Sequence, residues 1–127
     1  MQPASREDIR DYLLSIKRVV SSEPEAYEPL VVVKRQKNME CLAQLGLTLR
    51  NIRDILLDLT VEEYCSGPER DYGGFPGDFW VFGKSIGGKE VYIKLKLVEL
   101  SSLRVVRIVS FHFPDETMIY PYAARPH

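Results

Sequence analysis

The sequence predicts an α+β fold, in which helices come first and pack on one face of an antiparallel β-sheet. Three observations carry this. In the first half of the chain apolar residues recur at three- and four-residue steps, the spacing of one helical face. From Phe79 onward the period changes to two, the spacing of strands. Between the halves lies a stretch dense in glycine and proline, which breaks regular structure. Helices followed by strands make α+β rather than an alternating parallel architecture.

Ser5 opens the first helix, because its hydroxyl can take an orphan amide and Asp8 stands three residues on. Behind it Ile9, Tyr12, Leu13, Ile16, Val19 and Val20 form one stripe, and the Ser21–Glu25 run ends it. Leu30 to Lys34 is β-branched and bounded by Pro29, so it predicts a short strand. Asn38 is expected to cap a second helix that stops at Gly46, and Thr48 a third carrying Leu49, Ile52, Ile55, Leu56 and Leu59. Thr60 with Glu63 forms another capping pair, opening a single turn that carries Tyr64. Residues 66–78 predict a long loop, expected to rim the functional face. Strands are then expected over Phe79–Lys84, Glu90–Leu100 and Arg104–Phe113, with Gly87-Gly88 as a tight hairpin turn. The tail, residues 114–127, holds Pro114, Pro121 and Pro126 and predicts irregular chain.

With 127 residues the chain suffices for one domain with a real core. A hydrophobic share of 45% and a charged share of 28% exclude a disordered or membrane-embedded composition. Apolar runs such as Leu30-Val31-Val32-Val33 are too short to span a bilayer. The N-terminus turns charged at once, so a cytoplasmic protein is expected. Cys41 and Cys65 have no paired spacing and read as free thiols. His112 and His127 lack neighbours at metal-ligand spacing, so neither metal nor cofactor is expected. Net charge is −1, yet residues 79–127 carry seven basic and four acidic side chains, a basic piece suited to phosphate.

The long strand gives the sharpest chemical clue. Val91, Ile93, Leu95 and Leu97 point one way, while Tyr92, Lys94 and Lys96 point the other. Lysines neutralise phosphate and a tyrosine hydroxyl can relay a proton, so this face suits a phosphodiester. The plain alternative is a solvated strand face with an amphipathic tyrosine. On the next strand His112 supplies the side chain best suited to proton transfer near neutral pH. Whether it meets Tyr92 depends on register. An odd-numbered turn before Arg104 puts His112 opposite Tyr92 and Ser110 opposite Lys94; an even one separates them. Lys84 and Lys96 are expected to add phosphate contacts, with Tyr72 of the loop as an RNA-binding aromatic. Cys65 reads as an inert thiol, Trp80 as a core or edge aromatic, and the acidic group of Glu62, Glu63, Glu69 and Asp71 as solvated surface.

Several blocks in order carry a resemblance. They are Leu45-Gly46-Leu47-Thr48, Leu59-Thr60-Val61-Glu62-Glu63-Tyr64, Gly67-Pro68-Glu69, Trp80-Val81-Phe82-Gly83-Lys84, Val91-Tyr92-Ile93-Lys94 and Val109-Ser110-Phe111-His112. From roughly Val31 to Phe113 the chain resembles the motility quorum-sensing regulator (MqsR) family of type II toxin-antitoxin toxins. The resemblance implies a RelE-like fold and a metal-independent endoribonuclease acting on messenger RNA (an mRNA interferase). It also implies a co-encoded antitoxin, which in that family binds DNA. The family's catalytic tyrosine matches Tyr92 and the lysine two residues on matches Lys94. Where the family has a lysine, a glutamine and a lysine, this chain has Cys65, Val81 and His112. A histidine can still donate or accept a proton, so Tyr92, His112 and Lys94 are the expected catalytic set. The competing expectation is a toxin-like interaction domain without nuclease activity.

Overall fold

The computed structural model describes residues 2–124. Helix α1 (Arg6–Ser21) is followed by β1 (Leu30–Val32), α2 (Gln36–Leu45), α3 (Leu49–Leu57) and a 3₁₀ turn at Val61–Glu63. Strands β2 (Tyr64–Glu69), β3 (Phe79–Ile86), β4 (Lys89–Leu100) and β5 (Leu103–His112) complete it. The fold is α+β, with strand order β1-β5-β4-β3-β2.

Local chemistry sets the helix ends. The Ser5 hydroxyl accepts the Asp8 N–H at 3.1 Å, Thr48 and Asn51 cap α3 reciprocally, and the Glu63 carboxylate accepts the Thr60 N–H at 3.0 Å. Gly46 closes α2 at φ +67°, a conformation open to glycine at little cost. The predicted stripe of α1 is buried at Ile9, Leu13, Ile16, Val19 and Val20, against Ile52 and Leu56 of α3 and the sheet's Val91, Ile93, Leu95, Val106, Ile108 and Phe111. One sheet face is thereby filled. Trp80 lies in this core and stacks on Tyr12, ring centroids 4.2 Å apart.

Three expectations are corrected. The sheet is mixed rather than wholly antiparallel, because β1 runs parallel to β5, Leu30 beside Val106 and Val32 beside Ile108. Parallel neighbours need a long crossover, and the chain from β1 to β5 supplies one through two helices and three strands. Asn38 is not a cap. Arg35 holds that position, and Asn38 lies fully buried inside α2. Its amide donates to the carbonyls of Val33 (2.9 Å) and Val109 (3.1 Å), and its oxygen accepts the Phe111 N–H at 2.9 Å. Strand β1 stops at Val32 while β5 runs on, so this side chain serves backbone groups that have outrun their strand. Finally, the predicted loop is shorter. Its first part belongs to β2, with Ser66 beside Val81 and Glu69 beside Phe79. Gly67 and Pro68 read as breakers, but an edge strand with register shifts tolerates both. Residues 70–78 remain irregular. The tail lacks helix and strand as far as residue 124; Pro126 and His127 lie outside the described residues. Among the described residues no helix is long and apolar enough to cross a membrane.

Candidate functional site

The face of the sheet opposite the helices carries Tyr92, Lys94 and Lys96 of β4, as alternation requires. His112 reaches that face by an unexpected route. The β4–β5 turn is the even kind, Ser101-Ser102, and pairs Leu100 with Leu103 and onward to Leu95 with Ile108. On that register alone His112 would share a face with Val91 and point at the helices. A β-bulge adds Val109 as an extra residue on β5 and resets the ladder to Lys94 beside Ser110 and Tyr92 beside His112. The bulge does what the turn does not.

Tyr92 and His112 stack, centroids 5.3 Å apart and planes 20° from parallel. His112 Nδ1 lies 2.9 Å from the Phe113 carbonyl oxygen. A carbonyl can only accept, so Nδ1 carries the proton and Nε2 is left to accept one from a substrate. Burial, then the charges of Glu69 and Cys65, push the Tyr92 phenol above its ordinary value, so it stays protonated through neutral pH. Lys94 stands beside Ser110 with its ammonium 4.7 Å from the Phe79 ring centre, and makes no ion pair among the described residues. These four side chains line a cleft of about 620 Å³, closed on one side by Cys65 and Val81 and on another by the tail from Pro114 to Ile119. Burial and then the charge of Glu90 push the Cys65 thiol up to about 12, which suits an unreactive wall residue.

The other candidates lie elsewhere. Lys84 pairs with Val91 across the ladder and so points to the helix side. Its ammonium is 2.9 Å from Asp58 and 3.1 Å from Glu63, a structural cluster away from the cleft. The alternation on β3 is one residue out of phase with a phosphate contact at Lys84. Lys96 shares the open face but is 3% exposed, its ammonium 2.6 Å from Asp71 and 4.8 Å from the Phe79 ring centre. It latches the 70–78 loop to β4. That loop therefore rims the Lys96 end of the face rather than the Tyr92 end. Tyr72, at its tip, is 86% exposed and outside the cleft. Of the acidic group read as solvated surface, Glu63 and Asp71 each hold a lysine.

The tail is the part of the site that sequence reasoning missed. Tyr120 donates to Glu90 at 2.7 Å and lies on Gly83, where an added Cβ would come within 2.8 Å of the tyrosine ring and of the Met118 methyl. Asp115 pairs with Lys37 at 2.8 Å, and the Arg6 guanidinium sits 4.7 Å over the Tyr122 ring. Asp115 and Glu116 thus stand at the cleft mouth. A glycine inside a strand marks a close approach, and Gly83 was the available signal.

Among the described residues no group of three His, Cys, Asp or Glu side chains gathers where a metal could be held. No family model, curated protein or solved structure matches the chain.

Proposed function

We propose that the chain is an endoribonuclease that cleaves messenger RNA without a metal. It acts in the cytoplasm as the toxin of a type II toxin-antitoxin pair, neutralised by a co-encoded antitoxin. The observation that carries this reading is the stacked Tyr92–His112 pair beside Lys94 and Ser110, in one cleft on the sheet face that the helices leave open. His112 Nε2 removes the proton of the ribose 2′-hydroxyl, whose oxygen attacks phosphorus. The bond to the 5′-oxygen breaks, and the Tyr92 hydroxyl protonates that leaving oxygen. Lys94 and the Ser110 hydroxyl stabilise the charge on the intervening phosphorane. A cyclic 2′,3′-phosphate and a 5′-hydroxyl result.

The resemblance gains support from convergence. Cys65, Val81 and His112, the three positions at which this chain departs from the family's pattern, line the same cleft as Tyr92 and Lys94, although they come from three strands. The test is cleavage of a mixed-sequence RNA by the purified chain free of partner, with EDTA present and, separately, with translating ribosomes. Absence of cleavage in both supports a second reading, a non-catalytic interaction domain. The observation that favours it is that two tail carboxylates, Asp115 and Glu116, share the lining of the cleft with Lys94.

A further inference from the structure

We propose that the open sheet face continues past the cleft into a second subsite that binds the flanking single-stranded RNA, with Phe75 stacking a base and Arg35 and Arg107 holding phosphates. The inference rests on the reading of this face as an RNA site. Three rungs of the β4–β5 ladder lie in line on it: Tyr92 beside His112, Lys94 beside Ser110, Lys96 beside Arg107. Four strand residues separate the first rung from the third, about 13 Å. Beyond Lys94 the surface forms a groove of about 280 Å³, lined by Arg35, Phe75, Phe79, Lys96 and Arg107 among others.

Charge and shape agree on the occupant. Lys96 and Asp71 neutralise each other within the groove, leaving Arg35 and Arg107 exposed and without ion pairs among the described residues. In the cleft Lys94 shares the lining with the carboxylate of Glu116, Asp115 being paired with Lys37; the groove, with two guanidiniums outside any ion pair among the described residues, is the more electropositive end of the face. Phe75 is 70% exposed, an unusual position for a bare ring. It is also held. The Asp71–Lys96 latch fixes the loop, Asp71 accepts the Gly73 N–H at 2.8 Å, and the Phe75 ring centre lies 5.9 Å from the Lys96 ammonium. At Gly77, φ +91°, a Cβ would meet the Leu97 carbonyl at 2.7 Å, so the loop lies tight on β4. A rigid aromatic ring beside two unpaired guanidiniums is the usual means of binding a single strand without sequence readout. An acidic peptide would satisfy the arginines but leave the ring without a partner.

The experiment measures binding of a fluorescent, mixed-sequence 2′-O-methyl oligoribonucleotide, which lacks the attacking hydroxyl and cannot be cleaved. Arg107→Ala and Arg35→Ala should each weaken binding and lower the slope of log affinity against log salt by about one. Phe75→Ala should weaken it roughly ten-fold with the slope unchanged, and Phe75→Tyr should retain it. Unaltered binding in Arg107→Ala and Phe75→Ala, or displacement of the strand by an acidic peptide of equal charge, overturns the proposal. So does a failure of the unmutated chain to bind. Groove-dependent binding without RNA cleavage sinks the nuclease reading alone, and cleavage without groove-dependent binding sinks the groove alone.

Discussion

The side-chain amide of Asn38 spans the β-bulge at Val109, donating to the Val109 carbonyl at 3.1 Å and accepting the Phe111 N–H at 2.9 Å. The bulge is what turns His112 toward Tyr92, so a helix residue on the far side of β5 positions the candidate base. Asn38→Ala leaves these two buried backbone groups without partners and should cost about 2–5 kcal/mol. Urea unfolding checks the stability. RNA cleavage per folded molecule should also fall, because the register is no longer pinned. A variant as stable as the unmutated chain would remove Asn38 from this role.

Tyr92→Phe removes a hydroxyl that faces the cleft and keeps the ring that stacks on His112. Stability should hardly change, while cleavage should fall by roughly 10²–10⁴-fold, the range for general acid–base groups. Because the Tyr92 phenol lies above its ordinary value, the alkaline limb of the pH–rate profile that reports it should fall above pH of about 10 and vanish in Tyr92→Phe. His112→Ala should lower cleavage comparably. Undiminished activity in both variants overturns the site.

Lys84→Met separates the structural lysine from the chemical ones. Burial alone would lower the Lys84 ammonium, but the carboxylates of Asp58 and Glu63 raise it above its ordinary value. A raised lysine stabilises the fold fully below its unfolded value and loses that contribution as pH climbs through the folded one. The variant should therefore be less stable by about 1–3 kcal/mol at neutral pH, between surface and buried pairs. Its cleavage per folded molecule should match the unmutated chain. A specific loss of cleavage would return Lys84 to the site.

The loop latch has the opposite sign. The hydrogen bond to Lys96, then that from the Gly73 N–H, hold the Asp71 carboxyl below the usual carboxylate range. A depressed carboxylate contributes stability above its unfolded value, about 3.9, and loses it as pH falls through the folded one. The protection of residues 70–78 against hydrogen exchange, taken relative to the intrinsic rate at each pH, should fall below about pH 4 in the unmutated chain. In Asp71→Asn that protection should be low already at neutral pH and vary little with acidification. Equal protection in the two proteins at neutral pH would count against the latch.

Periodicity and capping chemistry made α1, α3 and the three central strands legible, because each of those signals is local. The same alternation placed Tyr92 and Lys94 on one face. What the sequence hid was non-local. The bulge at Val109 depends on Asn38 from another element, and Asn38 looked like a cap because its contacts lie 71 and 73 residues away. Lys96 read as a phosphate contact because nothing local announces Asp71, 25 residues back, as its partner. Gly67-Pro68 read as loop because propensity does not know that β2 is an edge. The tail's return onto Gly83 is of the same kind.

Gly83 is where that return can be tested. An added methyl would collide with the Tyr120 hydroxyl and come within 2.8 Å of the Met118 methyl. Both are side-chain ends on an irregular segment, whereas Gly83 is paired with Tyr92 inside the sheet, so the tail should move and the strand should not. Gly83→Ala should therefore break the Tyr120–Glu90 hydrogen bond and speed hydrogen exchange across residues 115–120, with little change in the unfolding midpoint. The electrostatic consequence follows from what the tail carries. Asp115 is held by Lys37, so moving the tail takes chiefly the charge of Glu116 away from Lys94, and the uncleavable strand should bind more tightly and with a steeper salt dependence. Glu116→Gln should give part of that gain without moving the tail. Weaker binding in Gly83→Ala would mean that the tail forms a wall the strand needs, and that its carboxylates do not oppose the phosphates.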